Sequence, residues 1–138
     1  MPSLKFTDIP LGHELPPFTT GPITRGTLAL YAGASGDHNL VHIDSDFAQA
    51  AGMPDVFAHG MLSMAYLAQL LTNWTAQESI RDLRVRFSAI THLHERITCT
   101  GIVVEKNEAA RTVRVEIRTA NEAGETKLSG EAIVALDA

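Results

Sequence analysis

The apolar positions of this chain change their period part-way along it. Across residues 60–74 the sequence runs Gly-Met-Leu-Ser-Met-Ala-Tyr-Leu-Ala-Gln-Leu-Leu-Thr-Asn-Trp, where only Ser63, Gln69 and the Tyr66 hydroxyl interrupt apolar character before Thr72. A helix apolar on nearly every side belongs in the middle of a fold. From Asp82 the period drops to two. Leu83, Val85, Phe87 and Ala89 alternate with Asp82, Arg84, Arg86 and Ser88, the pattern of a half-buried strand. Alternation returns over residues 96–105, 111–120 and 126–136, separated by turn-rich Lys106-Asn107-Glu108 and Asn121-Glu122-Ala123-Gly124,. One buried helix followed by consecutive strands with short connections predicts an α+β fold, an antiparallel sheet curled around a long central helix.

The first half reads as shorter pieces. Pro2, Pro10, Pro16, Pro17 and Pro22 fall within residues 1–23, which predicts an extended N-terminal arm with a short strand through 13–18. Thr24 is placed to cap a helix from 25 to about 33, after which Gly33 and Gly36 break the pattern,. Asp44 caps a second short helix over 45–51, ended by Gly52 and Pro54,. Neither an internal repeat nor a linker argues for a second domain, so residues 1–138 are expected to form one.

Composition narrows the classes. A chain of 138 residues with 45% hydrophobic and 20% charged side chains can build a core without disulfide or metal staples. Its net charge of −5 and lack of a Lys/Arg run argue against a nucleic-acid partner, whose phosphates demand a concentrated positive face. Cys99 is the single cysteine, so no intramolecular disulfide forms, and its alternating surroundings suit a small core residue. The N-terminus has no basic leader or apolar run, and the apolar stretch over 61–71 is too short to span a bilayer,. A cytoplasmic protein with no membrane partner is the expectation.

Candidate chemistry gathers in the loop between the two short helices. Ser35-Gly36-Asp37-His38-Asn39-Leu40-Val41-His42 offers a carboxylate and an imidazole that can take a proton from water at one atom and return one at another. Alone, Gly-Asp-His-Asn would be ordinary turn chemistry. Ala58-His59-Gly60-Met61, opening the apolar helix, changes the weight. The first amides of a helix lack internal acceptors and carry the positive end of its dipole, so the Gly60 N–H can stabilise an enolate oxygen as an oxyanion hole does. The plainer role of Gly60 would be a tight turn into the helix. Asn39 suits loop support, and His59 suits capping beside the site more than direct catalysis. Tyr66 and Trp74 read as core or interface aromatics. His92 and His94 have a spacing open to metal, but no cysteine or carboxylate accompanies them, so a solvated loop is expected and no metal is assigned. Arg81, Arg84 and Arg86 read as solvated strand charges.

The run from Tyr31 to His42, with Ala58-His59-Gly60-Met61 downstream, resembles the signature of the MaoC-like, R-specific enoyl-CoA hydratase family of hot-dog proteins. It is especially similar to the catalytic subunits of actinobacterial (3R)-hydroxyacyl-thioester dehydratases. The motifs that carry the resemblance cover about residues 24–67. It implies a hot-dog fold, a homodimer or a pairing with a related subunit, and acyl tunnels near the subunit interface. By position it implies that Asp37 and His42 are the catalytic pair, Asn39 orders their loop, and the Gly60 amide polarises the thioester. It implies no metal or redox cofactor, since CoA or acyl carrier protein arrives as part of the substrate. Two departures stand out: Leu40 replaces the family's usual proline, which removes a fixed dihedral, and Thr91-His92-Leu93-His94-Glu95 replaces its usual turn. The activity so implied is reversible hydration of trans-2-enoyl thioesters to (R)-3-hydroxyacyl thioesters. The alternatives are a non-catalytic acyl-thioester binder or partner subunit, and a hot-dog thioesterase. Acyl length, carrier and pathway are not encoded in any of these motifs.

Overall fold

In the computed structural model, which describes residues 3–138, the alternating runs pair into one five-stranded antiparallel sheet. Its strands are β1 (Phe18–Thr19), β2 (Ile80–Phe87), β3 (Thr98–Asn107), β4 (Thr112–Ala120) and β5 (Thr126–Ala135), in the order β1-β3-β4-β5-β2. Pro2, counted in the arm, lies outside the described residues. Alternation sorts the two faces. Cys99, Val103, Val113, Val115, Ile117, Leu128, Ala132 and Val134 are buried toward the concave side. The outer face carries charges such as Arg114, paired with Glu105 at 3.2 Å and Glu131 at 3.1 Å.

The central helix α3 (Gly60–Thr72) lies in the curve of the sheet against β2, β3 and β4. Leu67, Leu70 and Leu71 are each 0% exposed, and burying such a side chain is worth about 1.5–3 kcal/mol. This is the hot-dog arrangement that the resemblance implied. One side of the helix departs from the all-round burial expected of it: Met61, Ala65 and Gln69, spaced at i, i+4 and i+8, face outward, because the sheet of one chain wraps only part of a helix.

The remaining elements form an overhang at the N-terminal end of α3. Thr24 caps α1 (Arg25–Ser35) by accepting the Thr27 N–H at 3.1 Å. The helix runs past Gly33 to Gly36, whose φ of 76° makes the left-handed stop,. Gly33 was an expected breaker, yet one glycine costs a helix interior only about 1 kcal/mol. Asp44 caps α2 (Ser45–Ala50) through the N–H groups of Asp46 and Phe47. Leu28 of α1, Ala48 of α2, Val56, Ala58 and Leu62 of α3 share a second buried cluster, which fixes the overhang to the helix.

Several expectations are corrected in detail. The arm strand predicted over 13–18 is reduced to β1 and a single bridge between Glu14 and Ile102. Pro16 and Pro17 have no N–H for the ladder, although Leu15 and Thr20 on either side donate to Gly101 and Ile97 at 2.9 Å each. Ala89 falls outside β2, because the Ser88 and Ala89 N–H groups both turn onto the Lys127 carbonyl. His92 and His94 do not share a strand: His92 bridges Phe57, and His94 is left-handed with φ 71°.

Of the glycines, Gly130 is the most closely approached: an added Cβ would stand 1.9 Å from the Arg84 carbonyl oxygen. No side chain fits there, and both strands would have to part. Gly130→Ala is therefore expected to destabilise the protein by at least about 3 kcal/mol, measured by urea unfolding. Gly124→Ala, at an open turn, serves as the comparison for backbone strain alone.

Candidate active site

Local hydrogen bonds shape the loop after α1. The Asp37 N–H donates to Ser35 Oγ at 3.1 Å, the Asn39 N–H to Asp37 Oδ1 at 3.2 Å, and the Val41 N–H to Asn39 Oδ1 at 3.2 Å. Asn39 thereby caps the single 3-10 turn Leu40–His42. Leu40, in place of the expected proline, leaves that turn formed, since a side-chain cap supplies part of the restraint a ring would have supplied.

The turn points His42 at the chain leading into α3. His42 Nδ1 lies 2.7 Å from the Phe57 carbonyl oxygen. A carbonyl only accepts, so Nδ1 carries the proton in the neutral ring and Nε2 is left with its lone pair. His59, 1% exposed, stacks on His42 with centroids 4.0 Å apart and an interplanar angle of 26°. Its Nε2 lies 3.1 Å from the Asp37 carbonyl oxygen. An Asp37 carboxylate oxygen and one ring nitrogen each of His42 and His59 lie within 4.8 Å of one another. Burial pushes the His59 pKa below the ordinary histidine range; the neighbouring His42 charge acts in the same direction, outweighing the Asp37 carbonyl and carboxylate.

Gly60 follows as the first residue of α3, so its N–H has no i−4 carbonyl within the helix,. The glycine is not there for a left-handed turn: its φ is outside that region, and a Cβ would instead stand 3.0 Å from the Phe87 ring. A cavity of about 350 Å³ opens beside it, lined by His42, Phe57, Gly60, Ser63, Phe87 and Thr91 among others. Asp37 lies outside that lining, exposed at the His42 end. Thr91 Oγ1 is buried on the cavity wall with no hydrogen-bond partner among the described residues.

The residues singled out from sequence thus divide. Asp37, Asn39, His42, His59 and Gly60 come together. Tyr66 and Trp74 pack in the core against Phe18 and His13, Arg84 pairs with Asp82 on the outer face, and Cys99 is a buried thiol whose pKa burial raises to about 12.

Sequence reasoning missed Lys127. It is 1% exposed, and its Nζ donates to the Ile90 carbonyl at 2.8 Å while pairing with Glu95 at 3.2 Å and with Glu125. Glu95 also accepts the His92 N–H at 2.7 Å and Asn121 Nδ2 at 2.5 Å. Burial alone would raise the Glu95 pKa, but these donors and the Lys127 charge hold it below the usual carboxylate range. The network anchors residues 88–95, whose Ser88, Ala89, Ile90 and Thr91 wall the cavity. A lysine in an alternating run gives no sign of this.

Comparison with known proteins shows the family. Residues 10–124 match the family described as MaoC like domain. The chain is 31% identical to the (R)-specific enoyl-CoA hydratase of Rhodospirillum rubrum over 122 residues, covering 84% of this chain and 81% of that one. It is 27% identical to the 3-hydroxyacyl-thioester dehydratase Z of Mycobacterium tuberculosis over 104 residues, covering 70% and 69%. An R-hydratase of Pseudomonas aeruginosa in its unliganded form superposes with a TM-score of 0.87 at 27% identity, over 99% of this chain and 88% of that one. Fungal fatty acid synthase β subunits also match, and the chain spans only 3% of the one from Saccharomyces cerevisiae and 6% of the one from Gibberella zeae.

The Lys127 network carries a stability prediction with a definite sign. Because the Glu95 pKa is depressed in the folded state, its contribution is full above the ordinary glutamate pKa and is lost as pH falls through the folded value. Glu95→Gln is expected to cost roughly 3 kcal/mol at neutral pH, the scale for breaking a buried ion pair. Its unfolding midpoint should fall less steeply than the wild type's on acidification, as read by urea titrations at neutral and acid pH.

Proposed function

The chain belongs to the MaoC-like domain family, and from that premise and the site geometry we propose that it is a hydro-lyase. It interconverts trans-2-enoyl thioesters and (R)-3-hydroxyacyl thioesters. The observation that carries this reading is the convergence of Asp37 with His42, whose ring lines a cavity that Gly60 also lines.

In the hydration direction, water sits between the Asp37 carboxylate and His42. The Phe57 carbonyl holds the His42 Nδ1 proton, so Nε2 is the atom free to take a proton from that water. Asp37 accepts the water's second hydrogen and aligns its oxygen on the β-carbon. As the carbon–oxygen bond forms, the π electrons move through the α-carbon to the thioester oxygen, where the Gly60 N–H and the α3 dipole stabilise the enolate. The enolate collapses as the proton held by His42 is delivered to the α-carbon. Dehydration is the reverse. The reaction is redox-neutral, so its electron pairs and protons are accounted for by these groups, and CoA or acyl carrier protein enters as part of the substrate.

Pairing of two chains is part of the same proposal. Among the described residues no strand pairs with the outer edge of β2; Phe87 at 52% exposure and exposed Ile90 line the cavity, and exposed Met61 and Ile43 are the chain neighbours of Gly60 and His42. So much apolar surface around one cleft suits a second chain, and a second copy supplies the same edge and the same face. Light scattering is expected to give twice the chain mass; a chain that is monomeric and inactive alone would instead indicate a related partner subunit.

The activity is tested by loss of crotonyl-CoA conjugation in the ultraviolet. Asp37→Asn and His42→Ala are each expected to lower kcat/KM by about 10²–10⁴. Because both act on one water, the double variant should be little worse than either single one. Equal rates for wild type and double variant across several acyl lengths and carriers would overturn the hydratase reading, and release of free thiol would point to a thioesterase.

A further inference from the structure

His59 is an odd residue for its position. It is 1% exposed, between a catalytic loop and a hydrophobic helix, where a leucine would fill the space without a polar atom to satisfy. Its Nε2 is 3.1 Å from the Asp37 carbonyl oxygen, which makes Nε2 the protonated nitrogen of the neutral ring. Its Nδ1 is then a buried acceptor, and it has no hydrogen-bond partner among the described residues. Buried polar atoms without partners are rare and call for an explanation.

The surroundings supply one. The ring lies in a column: the edge of Tyr31 meets it at 4.8 Å and 67° on one side, and His42 stacks on it at 4.0 Å and 26°. Phe57 closes the arrangement against His42 at 5.0 Å and 81°. The His42 ring therefore has a flat aromatic neighbour along its face and a carbonyl on Nδ1. Its Nε2 direction is set by contacts that do not involve substrate. The titratable groups against His59 are His42, Asp37 and Tyr31, and a positive charge there would oppose one on His42.

We propose that His59 is a positioning residue: its Nε2–H ties the Asp37 main chain to the start of α3, and its neutral ring backs His42 while His42 carries the proton. One side chain thus keeps the acid loop, the base and the adjacent Gly60 amide in a common frame. This inference rests on the hydratase reading of the site, and it goes beyond that reading by assigning work to a group that does not touch substrate. The depressed His59 pKa is consistent with the neutral ring that this requires.

Two readouts test it. Nitrogen-15 NMR of the wild-type protein is expected to show His59 as the neutral Nε2–H tautomer at pH 7, still neutral below the pH at which a free histidine would titrate. An Nδ1–H tautomer or an imidazolium at pH 7 overturns the proposal whatever the enzyme's activity. The second readout is kinetic. His59→Phe keeps the ring and removes the tie, and is expected to lower kcat about 100-fold, the scale of a misplacement of about 1 Å. KM for crotonyl-CoA should stay within about twofold. His59→Gln restores a donor near the Nε2 position and is expected to recover about tenfold of that loss, a rescue that a merely space-filling role would not produce. A folded His59→Phe with wild-type kcat, or a His59→Gln no better than His59→Phe, overturns the tie. Undiminished activity of the Asp37→Asn/His42→Ala double variant would instead sink the hydratase reading itself.

Discussion

The seating of α3 in the curved sheet is the constraint on which the other features depend. With Leu67, Leu70 and Leu71 all inaccessible to solvent, the helix cannot rotate or slide without exposing at least one, at about 1.5–3 kcal/mol per side chain. Its N-terminus is held accordingly, with Gly60 close enough to the Phe87 ring that a single added carbon would stand 3.0 Å from it. The Gly60 amide is thus placed relative to the sheet by hydrophobic packing several turns away. The same helix then receives the overhang through Leu62, and the overhang carries Asp37 and His42 on a loop whose own hydrogen bonds are short-range.

Around this apolar frame, two groups of buried or half-buried polar side chains bear on the cavity. His59 and the Phe57 carbonyl hold the loop that carries Asp37 and His42, while Lys127, Glu95 and Asn121 secure residues 88–95. Burying such groups is unfavourable unless they are paired. Each of these two groups fixes backbone beside the cavity. Cys99 lies buried in the core, where burial raises its thiol pKa.

Much of this was legible along the chain, for identifiable reasons. The three long alternating runs after residue 95 became β3, β4 and β5, and the apolar run became α3, because side-chain periodicity is a property of each segment. Thr24 and Asp44 marked helix starts because a cap bonds amides two or three residues away,. Errors arose where a ladder was interrupted, either by residues inside the strand or by a distant contact. Pro16 and Pro17 broke the arm strand into two parts, and Lys127 drew the Ser88 and Ala89 amides off the β2 ladder.

Sequence alone marked the main elements and the candidate groups Asp37, Asn39 and His42 with their spacing in one loop, since these are set by interactions within a few residues. Tertiary structure decided which nitrogen of His42 is free, because the Phe57 carbonyl that holds the other is fifteen positions away. It also decided that His59 reaches back twenty-two positions to the Asp37 carbonyl, that Lys127 is buried beneath the cavity wall, and that Met61, Ala65 and Gln69 face outward. Those outcomes depend on how separate elements dock, and docking is governed by the summed burial of surfaces remote in sequence, which no local pattern records.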